Sequence, residues 1–153
     1  MPSQTALELR TSRTALADGL GIDGPFIDRL VDRFYSAVRS DLVLAPIFAS
    51  RVDDWEPHLA RMKQFWRSIL RAEGSFSGNP MLKHVVIPDI DAAEFERWLD
   101  LFETAVLAEA PNPGAAAMVT DRARSIAASL LAGVLRHRQS PARQGSSNGA
   151  YHA

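Results

Sequence analysis

The chain has 153 residues, 46% of them hydrophobic and 23% charged, with a formal net charge of −1; that is enough for one domain with a real core, and it excludes the broad basic field of a nucleic-acid binder. There is no cysteine, which removes disulfides, zinc–thiolate sites, iron–sulfur clusters and thiol nucleophiles together. No run approaches the roughly 18 apolar residues of a membrane span, and the first residues lack the apolar stretch of a signal peptide, so the expected location is the cytoplasm, with no membrane partner.

Residues 1–22 read as an N-terminal extension that is either a short helix or loose. Asp23, Gly24 and Pro25 then make a helix start, since proline is tolerated in a first turn. Phe26, Ile27, Leu30, Val31, Phe34 and Val38 follow at helical spacing. Pro46 breaks this pattern and predicts a short turn carrying Phe48. A second long helix is expected over about 54–71, its apolar stripe being Trp55, Leu59, Met62, Phe65, Trp66, Ile69 and Leu70. The stretch 74–80 is a loop by composition, and 81–86 has room for a turn or two of helix before Pro88 stops it. Asp91 followed by Glu94 resembles a capping box for a third helix bearing Phe95, Trp98, Leu99, Phe102, Ala105 and Val106. The run from Pro111 to Gly114 ends that helix. The last, over about 115–137, carries Val119, Ala123, Ile126, Ala127, Leu130 and Val134. Residues 139–153 are small and polar and are expected to be disordered. The class is all-α. Four helices of this length fit a plain bundle, but the aperiodic link around His84 argues for a less regular arrangement.

His58 lies between Trp55 and Met62 on the second long helix, so it faces inward or sits at the stripe's edge. Tyr35 follows the apolar Phe34 and is expected to be partly or fully buried. Taken singly, both are more often satisfied core groups than functional ones, and Trp66 and Trp98 are more often packing. His84 differs in its setting, outside the main helices and followed by Val85, Val86 and Ile87. A lone imidazole in apolar surroundings suits axial coordination of haem iron, because the porphyrin already supplies four nitrogens; simple packing remains the other reading. Non-haem metal is poorer: among His58, His84, His137 and His152 no i, i+4 pair occurs. No Gly-rich phosphate loop and no GxSxG motif is present.

The segments FYSAVRSD (34–41), LAPIF (44–48), DWEPHLARMKQFWRSIL (54–70), GSFSGNPMLKH (74–84), FERWLDLFE (95–103) and ARSIAASLLAGV (123–134) together resemble the group III truncated haemoglobins. The resemblance implies a truncated globin-like two-over-two helical sandwich over 23–138 that holds haem b. It makes His84 the iron ligand, and Tyr35, His58 and Trp98 the polar groups of the opposite, distal face. Phe48 would lie on the porphyrin, with Met62, Phe65, Trp66 and Trp98 completing the cofactor wall. Arg61, Lys63 and Arg67 are candidates for pairing with haem propionates. Leu42 and Ala45 stand where Pro and Gly are expected, Phe76 where Tyr is common, and Glu94 where His is common. The implied function is binding of O2 or another diatomic ligand, with O2, NO or peroxide as small-molecule partners and distal donors suited to slow O2 release or redox chemistry. The alternatives are a nitric-oxide dioxygenase or peroxidase-like enzyme served by a reductase and, third, a haem-free helical interaction domain.

Overall fold

The computed structural model describes residues 4–73 and 90–138, and every regular element among them is a helix. In chain order these are α1 (Gln4–Gly19), α2 (Gly24–Ser40), α3 (Leu44–Ala49), α4 (Trp55–Arg71), α5 (Ala92–Glu109) and α6 (Pro113–Arg138). The link containing His84 and the tail from 139 onward lie outside the described residues. Among the described residues no helix is long and apolar enough to cross a membrane.

Local chemistry explains where the helices begin. The Asp23 carboxylate accepts the Phe26 N–H at 2.9 Å, with Pro25 in the first turn, so an N–H that has no partner within the helix is satisfied. Asp54 does the same for α4 through Glu56 N–H at 3.2 Å. At α5 the Asp91 N–H donates to Glu94 at 2.7 Å, which is the reciprocal half of a capping box. Asn112 caps α6, its Oδ1 accepting from Ala115 N–H at 2.8 Å. The Pro111–Asn–Pro–Gly run therefore starts the last helix as well as ending the one before it. Its Nδ2 also donates to the Leu20 carbonyl at 2.8 Å.

Two helix pairs, α2 with α4 and α5 with α6, are layered through the contact of α2 with α5. The main core lies between these layers and includes Phe26, Leu30, Phe34, Val38, Trp66, Leu70, Phe102 and Val106. A smaller cluster of Ile90, Phe95, Ala127, Leu130 and Val134 joins the start of α5 to the far part of α6. Fully burying a side chain such as Phe34 or Phe102 contributes roughly 1.5–3 kcal/mol; both rings are at most 1% exposed.

The N-terminal segment is helical and docked on α4. Thr14 Oγ1 donates to the Arg71 carbonyl at 2.7 Å, and Arg13 donates to the Ile69 carbonyl at 2.6 Å. Those are carbonyls of the last turn of α4, which have no acceptor role left within the helix. Arg71 returns the contact, reaching Asp18 at 2.6 Å and the Ile22 carbonyl at 3.0 Å. Gly21 closes the α1–α2 turn with φ +77°, and a Cβ there would come within 3.0 Å of Pro111. Both facts require glycine at that position.

Candidate functional site

Consecutive residues on a helix point about 100° apart, and α2 uses this at Phe34 and Tyr35. Phe34 turns toward α5, edge-on to Trp98 at 5.3 Å and to Phe102 at 5.1 Å. Tyr35 turns toward α3 and α4. Its ring meets His58 at 5.2 Å, Trp55 at 5.8 Å and Phe48 at 5.9 Å. Trp55 and His58 stand three residues apart on α4, edge to face at 5.5 Å, the spacing at which helix side chains become neighbours. Phe48 reaches the group from the short α3 and stacks against Trp55 at 6.2 Å. From the solvent side the Arg39 guanidinium lies 4.7 Å over the Trp55 ring, a cation–π contact.

The structure therefore gathers Tyr35, His58 and Phe48 directly and joins Trp98 to them through Phe34. Trp98 stacks almost parallel on Phe102 at 5.4 Å, and Phe102 stacks on Trp66 at 4.9 Å. Trp66 is thereby embedded in the main core, 2% exposed. Met62 and Phe65 are only partly buried, as are Phe48, Trp55, Leu59 and Trp98. Trp55, on the apolar stripe of α4, belongs to the polar-tipped cluster. Its spacing from His58 was the available signal.

Tyr35 is 5% exposed, and burial alone pushes its phenol far above the ordinary tyrosine range. Desolvation disfavours the charged phenolate, so the hydroxyl keeps its proton and is available as a donor. A cleft of about 390 Å³ between α2 and α4, lined by Asp32, Tyr35, Ser36, Arg39, Ser40 and Leu59, reaches this residue. The larger depression of about 650 Å³ runs between α2 and α5, where Arg29 and Arg33 hold Glu109, and carries none of the candidate residues. Of the propionate candidates, Lys63 pairs with Asp32 at 2.9 Å and Arg67 with Asp28 at 3.0 Å. In this structure both cross-link α4 to α2. His84 lies outside the described residues.

These residues suit a flat apolar group with a small ligand on one face. Phe48 on α3, Leu59, Met62 and Phe65 on α4 and Trp98 on α5 are each half-buried, apolar surface that the described residues cover only in part. Tyr35, His58 and Trp98 add a phenol, an imidazole and an indole, three groups able to hydrogen-bond.

Comparison with known proteins gives the family and the fold. The bacterial-like globin family matches residues 16–130, well over half of the chain. The group 3 truncated hemoglobin ctb of Campylobacter jejuni is 38% identical over 81 residues, a segment covering 50% of this chain and 64% of that protein. The crystal structure of a group III truncated hemoglobin from Campylobacter jejuni superimposes with a TM-score of 0.68 at 32% identity, covering 73% of this chain and 91% of that one. The chain thus has the truncated globin fold, and it belongs to the bacterial-like globin family, among the group III truncated haemoglobins.

Proposed function

We propose that this globin binds haem b through His84 and takes O2 or another diatomic ligand on the face that Tyr35, His58 and Trp98 line. Haem, when bound, would supply an iron centre able to take a small ligand, and His84 would hold it. The chain's own residues supply the rest. Tyr35, kept neutral by burial, offers its O–H to a ligand that gathers negative charge. His58, 5.2 Å away ring to ring, is placed to donate beside it or to swing aside for entry. Trp98 adds an indole N–H, and Phe48 and Trp55 keep bulk water from the phenol. Donors of this kind favour a polarised ligand such as O2 over CO and slow its departure, which suits redox chemistry or sensing better than bulk transport.

The observation that carries the reading is a buried tyrosine, 5% exposed, inside a cluster of aromatic rings and one imidazole. It is tested on the haem-loaded chain by stopped-flow measurement of O2 release. Losing one donor of about 1 kcal/mol should accelerate release roughly fivefold in Tyr35→Phe. An unchanged rate would mean that the phenol is not aimed at the ligand. His84→Ala should abolish or strongly shift the Soret band; an unaltered band would reject His84 as the iron ligand. Fast consumption of NO or peroxide with a reductant would move the assignment to the enzymatic alternative.

A further inference from the structure

Asp41 is a buried charged side chain, 8% exposed, at the corner where α2 ends and α3 begins. One carboxylate oxygen accepts the N–H groups of Val43 at 3.1 Å and Leu44 at 2.9 Å. Arg97 Nε donates to both oxygens at 2.8 Å, and its Nη2 lies 2.7 Å from Oδ1. The hydrogen bond from Arg97 and those from the two backbone N–H groups outweigh burial and hold this carboxyl down at about 2. A single side chain thus ties the end of α2 and the start of α3 to α5, at the residue immediately before Trp98.

What makes this more than a surface link is the length of α3. Six residues cannot hold a helix in place by their own hydrogen bonds, so its position depends on what grips its ends. Asp41 grips the first turn. Leu44, 1% exposed, plugs into the core beneath it, and Phe48 on the next turn meets the Tyr35 ring. With the Arg97 side chain 47% exposed, the pair is a weak source of stability, but a guanidinium fork on a carboxylate is a demanding geometric constraint.

We propose that the Asp41–Arg97 pair is a positioning device for the distal wall: it sets where α3 places Phe48 against Tyr35, and so fixes the direction in which the phenol donates. The proposal rests on the distal reading of Tyr35 given above. Neither Asp41 nor Arg97 touches the ligand; both act through the aromatic cluster.

The test uses Asp41→Asn, which keeps an acceptor for the backbone N–H groups and loses the charge, and Arg97→Lys, which keeps the charge and loses the fork. Circular dichroism and thermal melting establish that each variant is folded. Three readouts follow: the C–O stretch of added carbon monoxide, which reports the field at the ligand; the nuclear Overhauser contact between the Phe48 and Tyr35 rings; and the rate of O2 release. The expected result is a shifted or broadened C–O band, a weaker Phe48–Tyr35 contact and release faster by roughly threefold to fivefold, within the reach of one imperfect hydrogen bond. In a Tyr35→Phe background the same substitutions should add almost nothing, because the hydroxyl through which they act is already gone. If Tyr35→Phe accelerates release and the two variants leave the C–O band unmoved, the positioning role is overturned and the distal donor stands. Equal effects with and without the Tyr35 hydroxyl would also overturn it. If Tyr35→Phe itself changes nothing, both proposals fall together.

Discussion

Phe34 and Tyr35 show how much one helical step decides. The first ring joins the core of α5 through Phe102, at most 1% exposed. The second carries an O–H into the same kind of surroundings, and a buried hydroxyl costs free energy unless something accepts from it. In the function proposed above, the bound small ligand would be that acceptor. Its proton should be hard to remove: a pKa raised by folding adds stability that is fully present below the ordinary value of 10.0 and is lost as pH rises above it. The chain has two tyrosines. In an alkaline absorbance titration Tyr35 should ionise only when the protein unfolds, so wild type and Tyr35→Phe should give the same tyrosinate rise in the ordinary range. A smaller rise in the variant would show that the phenol titrates freely.

At the scale of the elements, helix ends do the joining. Asn112 caps α6 through Ala115 and binds the carbonyl of Leu20 with the same amide. Asn112→Ala should cost about 2 kcal/mol, about one for the cap and about one for the second bond, and lower the melting temperature by about 4–8 °C. Asn112→Asp keeps the cap and loses the donor, so it should recover about half of that loss; calorimetry on both variants decides whether the two roles separate. The helix stripes were legible because periodicity reports which side of a helix is apolar. Phe26, Ile27, Leu30, Val31, Phe34 and Val38 are all buried, as are Val119, Ala123, Ala127, Leu130 and Val134. On α4 the same rule covers less: Trp66 and Leu70 are buried, while Trp55, Leu59, Met62, Phe65 and Ile69 remain half-exposed. A stripe shows that something apolar faces it, and not whether that is protein or a bound group. The N-terminal segment lacked a clear stripe because its docking is polar, from Arg13, Thr14 and Asp18 to the end of α4.

Over the whole molecule, long-range ion pairs tie the layers together, and three of them rest on two carboxylates that folding makes more acidic. Asp41 is lowered from 3.8 to about 2, first by Arg97, and Glu109 is lowered first by Arg33 and then by Arg29. A group whose pKa is depressed in the folded state stabilises fully above its unfolded value and loses that contribution as pH falls through the folded one. The melting temperature should therefore fall as pH drops from 3.8 toward 2. It should fall less steeply in Asp41→Asn, which starts lower at neutral pH and has one fewer proton to take up. Parallel curves for the two proteins would show that Asp41 has the same pKa folded and unfolded.

The sequence alone determined the helical class, the stripes that face inward and the start signals at Asp23, Asp54 and Asp91, because these depend on residues within a turn or two of each other. It also singled out Tyr35, His58, Phe48 and Trp98, through motifs that resemble a family rather than through spacing. Only the tertiary structure decided that Tyr35 meets Phe48, Trp55 and His58, that Arg97 reaches back to Asp41, and that Lys63 and Arg67 serve α2 carboxylates. Those contacts join positions separated by many turns of helix, and their geometry is set by how the two layers cross, which no local pattern of residues encodes.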